Sequence, residues 1–329
     1  MQPDMKSHEG QAPRVSGQGR LLVHIAFHFV SHRTRYLETV IAGIAGYELD
    51  QVLIVIDSNT DAVADVVAGL QLPSHCTLRV DVHSGLVHPF DLTWAHRKDM
   101  ELEVAGWDYF MYLEDDIHVP WTTFKQWLAR SESVSRRGFI HGFLRVEVDA
   151  AGRTVSTDWR LPLRQPAMLE IQGAKYIRPL AFYQACWVYS RATMQEFIKG
   201  AAWKRGFHRW SAVTRGHRNL GAANYSREFA AFGMSCAAPG RPRVLLPLDV
   251  NGQVDSSAWV WHLPNNYADN PGMRLMLASE LIEGGSRSSV AGESVDSALE
   301  GLRWAAYFLR TEQLAGRLRH RARSLLGRD

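Results

Sequence analysis

Cysteine is scarce in this chain. Three occur in 329 residues, Cys76, Cys186 and Cys236, odd in number and far apart. That excludes a disulfide framework and gives no zinc-ligand spacing, so they read as small buried hydrophobes in a reducing compartment. Long apolar runs are also missing: nothing approaches the roughly 18–20 residues needed to span a bilayer. The first apolar run, Leu21–Val30, is short and carries His24 and His28. No small-residue cleavage site follows it, so it reads as a strand and not a signal peptide. The setting this predicts is cytoplasmic. An excess of one charge is lacking too. Lys and Arg number 37 against 34 Asp and Glu, for a net charge of +3. This is too small to argue for a nucleic-acid partner, and none is expected. Apolar residues are not in short supply. At 46% hydrophobic, the chain needs no disulfide or structural metal to hold a core, and its length suits one large domain or two small ones.

Residues 1–19 are rich in Gln, Gly, Ser and Pro and read as a disordered tail. From residue 20, strands and helices alternate. Leu21–Val30 is a buried strand, and Leu37, Ile41 and Ile44 give residues 33–46 helical spacing. Gln51–Asp57 is a second strand, and Ser58-Asn59-Thr60-Asp61 supplies caps for a helix over 61–70. A third strand is expected at Thr77–Val82, a helix over Asp91–Val104 with Asp91 as N-cap, and a fourth strand at Trp107–Leu113. This alternation predicts an α/β fold with a mostly parallel central sheet flanked by helices, in which ligands bind beyond the carboxyl ends of the strands. Asp57 and the run Glu114-Asp115-Asp116 both fall at such ends. Further on, Phe139–Val148 and Thr154–Trp159 read as strands joined by the turn Asp149–Gly152, and Phe182–Tyr189 as a strand leading into a helix at Arg191–Lys199. Residues 203–221, rich in Arg, His, Trp and Gly, suggest an irregular active-site loop. Residues 283–295 read as a linker.

Glu114-Asp115-Asp116 is the only run of three acids. Chance alone produces such a run in roughly one chain in three of this composition, so its context carries the weight. Three carboxylates directly after an apolar strand cannot stay buried unpaired. They must meet water, cations or a metal. A surface turn or helix cap is the plainer reading of the same residues.

The segment Leu92-Thr-Trp-Ala-His-Arg-Lys98, continuing through Glu103-Val-Ala-Gly-Trp-Asp-Tyr-Phe-Met-Tyr-Leu-Glu-Asp-Asp-Ile117, resembles the family 2 and related GT-A glycosyltransferases. Those carry an Ala-Arg-Asn-like helix, a Gly-Asp-Tyr-like turn, a hydrophobic strand and then an acidic Asp-x-Asp motif. Val52-Leu-Ile-Val-Ile-Asp-Ser-Asn-Thr-Asp61 is similar to the family's second strand and its Asp-x-Ser-x-Asp ending. Glu114-Asp115-Asp116-Ile117 is similar to the Glu-Asp-Asp-Leu of N-acetylglucosaminyltransferase I. The likeness spans residues 20–130. It implies a Rossmann-like GT-A domain that holds a nucleoside diphosphate sugar through Mn²⁺ or Mg²⁺, a hard cation that bridges phosphates while taking few protein ligands. On this resemblance Asp116 is the metal ligand, Asp115 lies near ribose or donor sugar with Glu114 in support, Asp57 binds the nucleoside, and Arg97 approaches the nucleotide. The chain departs from the family at Ala95-His96-Arg97-Lys98, where Ala-Arg-Asn is usual.

The same resemblance implies a late carboxylate that deprotonates the acceptor hydroxyl in inverting members. Glu228, in Asn224-Tyr-Ser-Arg-Glu-Phe-Ala-Ala-Phe-Gly233, is the candidate, although the family pair is commonly Glu-Asp or Asp-Asp and here it is Arg227-Glu228. His262, in Trp259-Val-Trp-His-Leu-Pro264, is the candidate second metal ligand, with His141 and His217 behind it; a core histidine is the plainer reading of each. Gln184-Ala-Cys-Trp-Val-Tyr-Ser-Arg191 resembles the family's acceptor-side strand, which puts Trp187 and Tyr189 forward as a platform for a sugar ring or as core aromatics. Residues 302–328 carry seven arginines and one acid, Glu312, interleaved with Leu302, Ala306, Leu309 and Leu318. Such a basic amphipathic helix either lies on the inner face of a membrane or docks on the domain.

The expected organisation is a tail (1–19), a GT-A domain (20–282, with a nucleotide-sugar half to 130 and an acceptor half from 131), then a linker and basic helix (283–329). The expected reaction moves a sugar to a hydroxyl of a glycan or lipid-linked acceptor, with bacterial surface polysaccharide assembly as the setting. Three alternatives stay open: a nucleotidyltransferase, a sugar-nucleotide hydrolase and a non-catalytic sugar-nucleotide-binding module. A nucleotidyltransferase usually has a Gly-rich first loop followed by a basic residue. This chain has Phe29-Val-Ser-His-Arg33 there.

Overall fold

A computed structural model describes residues 18–86, 88–158, 163, 166–179, 184–204, 230–236, 243–270 and 275–282. The first half runs β1 (Arg20–Phe27), α1 (Thr34–Ala45), β2 (Gln51–Ser58), α2 (Ala62–Val67), β3 (Cys76–Val82), α3 (His96–Leu102), β4 (Tyr109–Glu114), β5 (Ile117–His118) and α4 (Trp121–Arg136). The second half adds β6 (Ile140–His141), β7 (Leu144–Val148), β8 (Thr154–Ser156), β9 (Ala167–Ile171), β10 (Ala174–Arg178), β11 (Cys186–Ser190), α5 (Arg191–Lys199), β12 (Val244–Pro247), β13 (Trp259–His262) and β14 (Met276–Leu277). The architecture is mixed α/β.

The central sheet has the order β11-β4-β1-β2-β3, parallel except where β11 runs against β4. Near-continuous apolar sequence in β1 and β4 is what a strand covered on both faces requires. Alternate residues feed two different cores. Leu21, Val23, Ile25 and Phe27 pack with α1, α2 and α4 on one face. Leu22 and Ala26 pack with Met100 of α3 and with Met194 and Phe197 of α5 on the other. On α1 the buried Leu37, Val40, Ile41 and Ile44 recur at three- and four-residue spacing, so one stripe meets the sheet. Ser190 begins α5 by accepting a hydrogen bond from Thr193 N at 3.3 Å, a cap worth about 1 kcal/mol.

Two smaller sheets follow, β14-β8-β7-β13-β5 and β6-β12-β10-β9, and they share a third core around Leu144, Val146, Ile177, Val244 and Leu246. The single strand expected over Phe139–Val148 is two. Its first piece, β6, pairs with β12, whereas β7 pairs with β8 and β13. The helix expected to start at Asp91 begins with a 3₁₀ turn at Pro89–Trp94. His88 is its N-cap and Asp91 closes the capping box behind it. No helix among the described residues is long and apolar enough to cross a membrane.

Candidate functional site

The strand order sets a topological switch point. From β1 the sheet grows one way through β2 and β3 and the other way through β4. The switch point therefore lies between β1 and β4, where chains leaving the two carboxyl ends diverge. Asp57 and Glu114 both align with Ala26 of β1, one from each side. At a strand spacing of about 4.8 Å, their backbones stand about 10 Å apart, one on each side of β1.

The acidic triplet sits where the chain passes from the central sheet to the next. Glu114 ends β4, and Ile117 begins β5 opposite His262 of β13. Leu263 N donates to Asp116 O at 2.9 Å, so strand pairing itself sets Asp116 beside His262. The Asp116 Oδ2 to His262 Nε2 distance is 3.3 Å. Arg33, from the 3₁₀ turn Ser31–Arg33 after β1, completes the cluster. Its Nε and Nη2 fork onto Asp115 at 2.9 Å each, and Nη2 also donates to Asp116 Oδ2 at 2.7 Å. Asp115 and Asp116 are only 6% and 4% exposed. Asp116 Oδ1 has no hydrogen-bond partner among the described residues. Burial and the neighbouring Asp116 charge raise the Asp115 carboxyl. Asp116 feels the same burial but stays below the usual range, because His262, Arg33 and Arg145 favour its charged form.

His262 is held from behind. Its Nδ1 hydrogen-bonds to Glu147 Oε1, and Glu147 is wholly inaccessible to solvent. The other Glu147 oxygen accepts from the backbone amides of Tyr267, at 3.0 Å, and Ala268. Burial would lower the His262 pKa, but hydrogen bonds to Asp116 and Glu147 outweigh it and the imidazole is raised. Arg145, two residues before Glu147, pairs with Asp158 at 2.8 Å and donates to Thr157 Oγ1 at 2.8 Å. The Tyr267 ring lies 5.2 Å from the His262 ring and 5.4 Å from the Arg145 guanidinium. Around Asp116, then, four carboxylates (Asp115, Asp116, Glu147 and Asp158) meet two guanidiniums and one imidazole.

This chemistry fits a hard divalent cation. Asp116 Oδ1 is a buried carboxylate oxygen with an unused acceptor. His262 Nε2 faces the same residue while Glu147 fixes the ring through Nδ1, the arrangement that metal-ligating histidines usually show. Magnesium and manganese need few protein ligands because water and phosphate supply the rest. Among the described residues no three His, Cys, Asp or Glu side chains converge at metal-binding distance. Among the described residues, Asp116 and His262 are the pair that would hold such an ion.

The remaining candidates lie elsewhere. Both Asp57 oxygens are taken, by His24 Nδ1 and His83 Nε2 at 2.8 Å each, and the residue is buried. Arg97 was expected near the nucleotide but is 7% exposed, enclosed by Trp94, Trp203 and Phe197 at 4.2, 4.5 and 5.0 Å. It donates to Ala202 O and Trp203 O, and burial brings its pKa down to about 9. It braces α3 against the segment after α5. Trp187 and Tyr189 stack at 4.6 Å inside the second core, each 2% exposed, and offer no sugar platform. His141 is a core histidine beside Phe143 and Tyr176, its pKa lowered by burial to about 4. Glu228, His217, the linker and the basic C-terminal helix lie outside the described residues.

Arg33, Arg145 and Glu147 were not anticipated. One signal was available: Leu144-Arg-Val-Glu-Val148 alternates, and a strand whose second face carries Arg and Glu needs partners for them. No protein-family model matches the chain, and no curated protein is significantly similar to it.

Proposed function

We propose that this chain is a metal-dependent glycosyltransferase of the GT-A type. It would move a sugar from a nucleoside diphosphate sugar to a hydroxyl of a glycan or lipid-linked acceptor. The observation that carries the reading is Asp116 itself. At the switch point of a mostly parallel sheet, its buried Oδ1 lacks a partner among the described residues and its neighbour His262 is anchored through Glu147. Asp116 and His262 would hold Mn²⁺ or Mg²⁺, which supplies positive charge where the departing diphosphate gains negative charge. Asp115 and Glu114 line the donor side of that position. Asp57 acts on the nucleoside through His83, which it orients and which is about one-third exposed. Glu228 is the proposed base for the acceptor hydroxyl.

A thermal-shift panel tests this. UDP-, GDP-, dTDP- and CMP-sugars are each added with and without Mn²⁺ to wild type and to Asp116→Ala. Ligand at about a hundred times Kd stabilises by roughly 2.7 kcal/mol, a rise of several degrees for a domain of this size. One nucleotide class should give that rise, only with metal and only when Asp116 is present. A shift indifferent to metal and to Asp116, or none with any donor, returns the triplet to a buried structural turn.

A further inference from the structure

Arg33 covers three of the four oxygens of Asp115 and Asp116, both of Asp115's and Oδ2 of Asp116. Among the described residues, Asp116 Oδ1 is the oxygen of the pair left without a partner. The carboxylates are buried, whereas the Arg33 side chain is 32% exposed and sits on a three-residue 3₁₀ turn with no buried residues, just before α1. Arg33 is thus the member of the cluster most open to solvent, with the most room to swing aside.

We propose that Arg33 is the resident cation of this carboxylate pair and that a divalent metal competes with it for Asp115 and Asp116. This rests on the reading of Asp116 as a metal ligand. A metal on Oδ1 with Arg33 still on Oδ2 places two cations on one carboxylate, separated by no more than a few ångströms. In a site this buried their repulsion weakens metal binding by at least an order of magnitude. The conflict ends when a diphosphate arrives. A guanidinium pairs with phosphate oxygens as readily as with carboxylate, so Arg33 turns from Asp115 to the donor while the metal takes the freed carboxylate side. Metal and donor therefore bind cooperatively, and Arg33 is the group that couples them. Without donor the site stays closed by its own arginine.

The experiment uses Mn²⁺ alone, with no nucleotide. Binding to the full chain is followed at fixed pH by the loss of the free-ion electron paramagnetic resonance signal. The proteins are wild type, Arg33→Gln, Arg33→Lys and Asp116→Asn, with melting curves to verify folding. Arg33→Gln should bind Mn²⁺ at least tenfold more tightly than wild type. Arg33→Lys, which keeps the charge and loses the fork, should fall between them, and Asp116→Asn should abolish binding. Mn²⁺ affinity equal to wild type in whichever Arg33 variant folds, with Asp116→Asn still inactive in binding, overturns the role of Arg33 and leaves the metal site standing. No Mn²⁺ uptake by wild type or by the Arg33 variants overturns both.

Discussion

Glu147 is a fully buried acid on a strand, and a carboxylate without solvent persists only if its hydrogen bonds are complete. Here they come from the His262 imidazole and two amides of the turn after β13. Glu147 acts by setting which ring nitrogen of His262 faces Asp116. Glu147→Gln retains the shape and loses the charge. Outer-shell changes of this kind typically cost 10- to 100-fold in metal affinity. The same change removes one of the two partners that hold His262 above its ordinary pKa, so its titration should move to lower pH. A Mn²⁺ titration and a proton NMR titration of the imidazole read the two effects separately. If both stay at wild-type values, Glu147 braces the β7–β13 pair and does nothing for the site. Asp57 illustrates the same distinction, since its carboxylate is spent on orienting His24 and His83.

At the scale of elements, Gly233 shows how tightly the second core is closed. Its φ is +53°, and an added Cβ would sit 2.3 Å from Tyr189 Oη and 2.8 Å from Trp187 Cδ1. Neither ring can retreat, because they stack on each other and Tyr189 Oη also accepts from Met234 N at 2.8 Å. Gly233→Ala should therefore destabilise by about 2–3 kcal/mol, combining backbone strain with overpacking, and denaturant unfolding measures it. The elements of the first half were legible because their signals are local. Apolar runs of strand length alternate with helical spacing, and β1, β2, β3 and β4 fall within a few residues of expectation. The triplet was legible for the same reason, as acids ending an apolar strand. Arg33 was not, because its meaning depends on β1 and β4 being neighbours, although some 80 residues separate Arg33 from Asp115. The break between β6 and β7 was hidden too. Ile140 and Leu144 are equally apolar, and only long-range pairing with β12 and β13 assigns them to different sheets. Trp187 and Tyr189 looked the same from sequence whether they served core or sugar, and packing decided for core.

Across the whole molecule, one polar chain ties three of the four parallel strands to α3. His24 of β1 contacts Asp57 of β2 and, at 2.9 Å, Asp99 of α3. Asp99 accepts from Arg79 of β3 at 2.8 Å, and Arg79 also forks onto Asp81. Burial would lower the His24 pKa, but Asp57 and Asp99 outweigh it and raise it to about 9. The same contacts lower Asp57 despite its burial, and lower Asp99. A folded-state pKa above the unfolded value, near 6.5, means that His24 contributes stability in full below about pH 6.5. The contribution fades as pH rises and is gone above about 9. The carboxylates contribute in the opposite sense, present above about pH 4 and lost in acid. The His24 part corresponds to on the order of 3 kcal/mol. Urea unfolding of wild type and His24→Gln at pH 6 and pH 9.5 isolates it, since every other titrating group outside this chain of contacts is common to both. The stability gap at pH 6 should exceed that at pH 9.5 by about this amount. A gap independent of pH would mean that His24 is neutral in the fold, leaving Asp57 and Asp99 to be charged and held by His83 and Arg79 alone.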